Sequence, residues 1–164
     1  MSNPMYVYIS PIDLEWRPGR VIIEKDYPDS TFHIGRFAHY MADVMAEELV
    51  KAIDRQRFSY KWKPLSVSYF ELKKKKNLSL NIWEATGTLK DNITVYRSDN
   101  VWVVGIHRYK MYPGTNVRIY QVVKYMEYGT DRMPARPLFR PLALYLRKNI
   151  RVYWERYREE VGIS

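Results

Sequence analysis

The residues able to do chemistry are few in this chain, and their spacing is poor for it. Three histidines, His33, His39 and His107, are present. The first two lie six positions apart and so miss the spacing of three or four that puts two ligands on one helix face. Both read as structural. No cysteine occurs, which removes disulfides and thiolate chemistry and fits folding in the cytosol. Seven glycines are scattered singly, so there is no phosphate-cradling loop. A His-Glu-x-x-His run and a Gly-x-Ser-x-Gly elbow are also missing. Glu127 is the one carboxylate that invites reading as a general base, but a base needs an acid or nucleophile placed beside it. Glu127 is instead expected to pair with Arg132, Arg136 or an arginine of a neighbouring subunit. The sequence therefore predicts no catalysis, no metal and no cofactor.

Surface chemistry remains. Twenty-seven Lys and Arg against eighteen Asp and Glu give a formal charge of +9, which favours a polyanion such as nucleic acid nearby. A basic protein with solvated lysines is the alternative. Lys73, Lys74, Lys75 and Lys76 are consecutive and cannot share one helix face. They form either a phosphate-seeking loop or a solvated tip. Fifteen tyrosines and five tryptophans exceed the needs of one small core, and aromatic and arginine residues are enriched at interface cores. Tyr109, Tyr112, Tyr125, Tyr128, Phe139 and Trp154 gather around one late segment. That mixture favours an assembling protein over a monomer.

The elements that must position these residues follow from periodicity. The length of 164 residues suits one domain with a real core, and no run of eighteen apolar residues predicts a membrane span. No secretory leader is expected. Residues 1–29 read as an amino-terminal arm that orders only on a partner, or as a β-hairpin or pair of edge strands formed by Met5–Ile9 and Val21–Ile23. Residues 30–164 form the domain proper. Ile34, Phe37, Ala38, Met41, Met45, Leu49 and Ile53 make an apolar stripe, predicting a helix from about Ser30 to Arg57. Leu65–Lys73 reads as a short helix with Ser66 as its cap. Gly87 sets a turn into another short helix. Ile93–Arg97 and Val101–His107 flank a turn cluster and predict a hairpin whose second strand is covered on both faces. Segment 117–128 reads as a strand start passing into a short helix. From Leu138, an apolar stripe through Leu142, Leu146, Ile150, Tyr153 and Tyr157 predicts a second long helix. Its other side carries Arg140, Arg147, Arg151 and Arg158. Glu155, Glu159 and Glu160 near its end oppose the helix dipole and suggest a salt-bridge partner. The predicted fold is α+β: two long helices packed on a small, mainly antiparallel sheet, with an extended arm and loops.

The densest stretch is Tyr125-Met-Glu-Tyr-Gly-Thr-Asp-Arg-Met-Pro-Ala-Arg-Pro-Leu-Phe-Arg-Pro141. Gly129 permits positive φ. Pro134 and Pro137 hold their preceding residues extended. Pro137 and Pro141 lie near the start of the following helix, where a missing N–H costs little. This reads as turn, stiff arm and helix, with the arm reaching a neighbour and Arg136 and Arg140 lacking any core role.

Met-Glu-Tyr-Gly-Thr followed by Met-Pro-Ala-Arg-Pro-Leu-Phe-Arg-Pro-Leu-Ala resembles the signature of phage tail-completion and neck proteins, a family also described as minor tail or virion-morphogenesis proteins. A second block, Trp62-Lys-Pro-Leu-Ser66 with Ala85-Thr-Gly-Thr-Leu-Lys-Asp-Asn-Ile93, is similar to another region of that family. The resemblance spans roughly Ser30 to Glu160. Asn92 stands where the family usually carries a small hydroxyl residue, and the first thirty residues lie outside the likeness. The resemblance implies a structural virion protein, assembled in the host cytoplasm and placed at the head–tail junction. It implies a homo-oligomeric ring, usually sixfold, between head-completion or connector proteins and tail-tube or terminator proteins. Non-specific contact with phage DNA in the channel is allowed, and no membrane is involved. The arm residues Glu127, Tyr128, Gly129, Thr130, Arg132, Met133, Pro134, Arg136, Pro137 and Phe139 would then form the subunit interface. Lys73, Lys74, Lys75, Lys76, Arg140, Arg147 and Arg151 would face the channel or phosphate. A tail-terminator ring, a free nucleic-acid-binding protein and an unknown enzyme are the competing readings.

Overall fold

The computed structural model describes residues 7–8, 20–24, 32–98 and 101–162. Its centre is helix α1, Phe32–Asp54. Phe37, Ala38, Met41, Ala42, Met45, Leu49, Ala52 and Ile53 are all buried along it. That stripe is wider than one helix face needs, because α1 is packed on two sides. One side meets the sheet and the other meets two later helices.

The sheet has the order β1-β2-β4-β3, from Val7–Tyr8, Arg20–Glu24, Ile93–Ser98 and Val101–Ile106 numbered in chain order. β3 and β4 form the expected antiparallel pair, with Ile93 opposite Ile106 and Ser98 opposite Val101. β4 also pairs antiparallel with β2, Arg20 opposite Gly105. It is thus a central strand, and Val103, Val104 and Ile106 are all buried. β1 pairs with β2 in parallel, Val7 opposite Val21. Parallel pairing rules out a hairpin between these two strands. β2 belongs to the main sheet, so the body of the domain begins earlier than residue 30.

Three short helices follow or interrupt: α2, Val67–Lys75; α3, Thr88–Asp91; and α4, Ile119–Tyr128. Ser66 caps α2 as expected, its hydroxyl accepting the Tyr69 N–H. Gly87 enters α3 at φ 86°, a conformation that strains other residues. The strand anticipated after residue 117 shrinks to a single bridge between Met111 and Arg118. Ile119, buried with Val123, starts helix instead, so the three-to-four-residue period prevailed over the alternating one.

The second long helix is two helices, α5, Phe139–Lys148, and α6, Ile150–Val161. Asn149 divides them. Its N–H and its side-chain amide both bond to the Tyr145 carbonyl, and its own carbonyl accepts from Val152 and Tyr153. A side chain that satisfies backbone groups locally competes with continuous helix. The break lets Tyr153 and Tyr157 turn inward, and the Tyr157 ring lies 5.5 Å from Phe37 and 5.4 Å from Tyr40. The first long helix ends at Asp54, short of the expected Arg57, and its expected start at Ser30 lies outside the described residues. Gln56 takes φ 48° just beyond α1. Its amide group bonds both to Ile53 O and to the backbone of Ile82.

Removing volume from the two-sided α1 core leaves a cavity that neither layer can close alone. Leu49→Ala, at a fully buried position, is expected to cost about 2–5 kcal/mol, read as the shift in urea midpoint at unchanged slope.

Candidate functional site

The segment 129–141 does not reach outward. α4 ends at Gly129, φ 75°, where a Cβ would stand 2.7 Å from Ala135 N and 2.8 Å from Met133 O. Only glycine fits there, and the chain reverses. The Arg136 N–H then donates to Met126 O at 2.7 Å, laying the segment back along α4. The Trp83 indole N–H donates to Arg136 O at 2.8 Å. The Trp62 indole N–H donates to Pro137 O at 2.7 Å. The Arg136 guanidinium donates to the carbonyls of Lys63 and Pro64, at 2.7 and 2.9 Å.

Glu127 closes this clasp. It is buried on the last turn of α4. One carboxylate oxygen accepts the N–H groups of Leu138 and Phe139, at 2.8 and 3.1 Å. The other accepts that of Arg140 at 3.0 Å. Leu138 occupies the cap position of α5 and has no polar side chain to offer. A carboxylate from another helix does the work, satisfying amides left open at a helix start and opposing the positive end of the dipole. Burial pushes the Glu127 carboxyl above the usual range, while the three amides and the Arg140 charge act against that rise.

These placements correct the interface expectation. Glu127, Arg136 and Phe139 are buried, and the polar groups of the first two are engaged within the chain. Arg136 has a core role after all. Tyr128, Thr130 and Arg132 are exposed, while Gly129, Met133, Pro134 and Pro137 are half-buried. The lysine run also divides. Lys73 turns inward and donates to the carbonyls of Asn81 and Glu84, at 2.7 and 2.5 Å, and burial pushes its ammonium below the ordinary value. Lys74, Lys75 and Lys76 remain exposed, as do Arg140, Arg147 and Arg151. His39 stacks on Trp102 with ring centres 4.0 Å apart. Among the described residues no three His, Asp or Glu side chains gather as metal ligands. No helix among them is long and apolar enough to cross a membrane.

Beside the clasp lies a feature that the sequence left unread, an open groove of about 940 Å³. Leu65, before α2, and Val67 and Tyr69, on it, are among its lining. Val117, Val122 and Tyr125 also line it, with Trp83 and Leu89 among the lining and Arg132, Met133 and Pro134 completing it. Val67 is 79% exposed and Val117 46%, an apolar rim without a cover among the described residues. The one available signal was that Val67, Tyr69, Phe70 and Leu72 fit no single helical stripe. Its charged lining is mostly cationic, Lys63, Lys73, Arg132 and Arg136 against one carboxylate, Glu84. That carboxylate is engaged. It accepts from Ser79, Asn81 and Lys90 at 3.0, 3.1 and 2.6 Å, and Lys90 also reaches Asp54 on α1 at 2.6 Å.

Two measurements probe this architecture. Glu127→Gln keeps the shape but sets an amide against three N–H donors. The expected loss is about 1–3 kcal/mol, a melting-point drop of roughly 2–12 °C. Acid titration probes the loop. The Lys90 bond, aided by Ser79 and Asn81, holds the Glu84 carboxyl below its ordinary value. A depressed folded pKa means stability that is present above the ordinary value of 4.5 and lost as pH falls through the folded one. Glu84→Gln should therefore lower stability at pH 7 and flatten its fall below about pH 4.5, measured by urea unfolding across pH.

No family model matches the chain, and neither the curated proteins nor the solved structures searched give a match.

Proposed function

We propose that this chain is a structural subunit of a tailed-phage virion, one that forms a ring at the head–tail junction and completes the tail or neck for joining to the head. One observation carries the reading. The two sequence blocks that resemble tail-completion and neck proteins, far apart in the chain, pack against each other as a single unit. Trp62, Lys63 and Pro64 of one block hold Arg136 and Pro137 of the other through three hydrogen bonds, one of them from the Trp62 indole. The likeness therefore falls on a mechanical unit of the fold and not on two unrelated strings.

The work of such a subunit is assembly, not catalysis. The clasp makes the 129–141 segment a rigid wall, with Arg132 and Tyr128 on its outer side, and the uncovered apolar groove beside it offers the contact area. Lys74–Lys76 with Arg147 and Arg151 supply exposed positive charge that suits a channel carrying DNA or an acidic neighbouring ring. Contact with phosphates of this kind is blind to sequence and weakens with salt. A tail-terminator ring uses the same surfaces with a different neighbour.

The test is genetic. Interrupting the coding sequence in the phage genome that carries it is expected to leave DNA-filled heads and separate tails, seen by electron microscopy, with infectivity restored by the chain supplied in trans. Normal joined virions without the chain would overturn the proposal. Tight, sequence-selective duplex binding by the monomer across a salt series would favour a free nucleic-acid-binding protein instead.

A further inference from the structure

We infer that the cationic apolar groove takes the acidic end of α6 from a second copy of this chain. The inference rests on the assembly reading above and names the two surfaces that would meet. The groove supplies apolar side chains, Val67, Val117 and Tyr125, with Lys63 and Arg132 among the residues lining it. The Arg132 and Lys63 side chains are exposed and make no ion pair within the described residues.

The complement lies on the same chain. Val152, Glu155 and Glu159 recur at three and four positions, so they share one face of α6. That face is turned away from the buried Tyr153 and Tyr157, and all three residues are exposed. Glu160 and Val161 extend the exposed surface at the end of the helix. Glu155 already pairs with Arg158 at 3.2 Å. Glu159 and Glu160 make no ion pair among the described residues. Carboxylates at the negative end of a helix dipole are unfavourable within one subunit, and an external cation relieves them.

The two surfaces cannot meet within one copy. The end of α6 packs by Tyr157 on Phe37 and Tyr40, near the start of α1. The groove is tied to the other end of α1 through Lys90 on Asp54 and Gln56 on Ile82. Tyr40 and Asp54 are fourteen residues apart, or about 21 Å at the helical rise of 1.5 Å per residue. Complementary surfaces at opposite ends of one body give head-to-tail contacts, which close into rings or run on as filaments. The groove volume of about 940 Å³ suits the side chains of a helix turn docking by its face.

Charge exchange tests the pairing. The groove variant Lys63→Glu with Arg132→Glu, and the helix variant Glu159→Lys with Glu160→Lys, each reverse one surface and leave the other native. Each is expected to weaken self-association about ten-fold or more, read by sedimentation over a concentration series, with circular dichroism confirming the fold. Mixing the two should restore association, because each reversed surface then meets its opposite. Association that resists both reversals, a mixture that stays dissociated, or a wild-type chain that remains monomeric would overturn the interface. Groove variants excluded from virions beside helix variants incorporated normally would assign the groove to another protein. Virion joining is read separately, so this interface can fail while the neck reading stands.

Discussion

The Glu127 carboxylate is the point on which the later half of the molecule turns. The cap position of α5 is a leucine, and the first amides of the helix would otherwise lack acceptors, a loss of about 1–3 kcal/mol for each buried group. A carboxylate borrowed from α4 satisfies three of them at once. That solution demands that the chain leaving α4 return almost immediately, which only the glycine at 129 allows, given the 2.7 Å approach its Cβ would make. The prolines at 134 and 137 then hold the return path extended, and the two indoles accept the task of fixing its carbonyls. Glu127, Gly129 and the two prolines of the dense motif thus serve one geometric requirement, a helix start buried against the preceding helix.

The same economy of backbone contacts governs the buried cations. Neither Lys73 nor Arg136 relies on a carboxylate; both spend their donors on main-chain carbonyls. A buried charge left unpaired is very costly, so these loops are held in place by what the cations need. Lys73 fixes residues 81–84, which present Trp83 to the clasp. Arg136 fixes residues 63–64, which lead into α2. The groove lies between these two fixed loops, so its shape follows from the interior of the domain.

Much of this was legible in the sequence, and the unreadable part has a common cause. The α1 stripe, the β3–β4 hairpin and the Ser66 cap are local patterns, and each residue's neighbours within a few positions settle the outcome. The break at Asn149 was harder, since the stripe runs through it and only the asparagine's competing side-chain bond interrupts the helix. The direction of the 129–141 segment was not legible at all. Proline and glycine state that the chain is stiff and turns; they do not state what it lies against. The partners of the Glu127 carboxylate are eleven to thirteen residues away, and those of the Arg136 guanidinium more than seventy. Lys73, one of four identical neighbours in the sequence, is singled out for burial only by carbonyls that a later loop brings to it.

This distinction bears on the assembly proposed above. A flexible arm must be ordered when it docks, and immobilising each rotamer-rich side chain costs about 0.5–1.5 kcal/mol. A clasped segment has already met that cost during folding. The groove it borders is correspondingly preformed, and a partner entering it loses less freedom on the protein's side. In the assembly proposed above, the apolar rim would supply contact area, while the exposed cations around it, screened over about 8–10 Å at ordinary salt, would steer approach and register more than hold the complex. Rigid surfaces at fixed angles also limit the rotation between successive copies. In the ring proposed above, that fixed rotation is what head-to-tail contacts need in order to close and not run on as a filament.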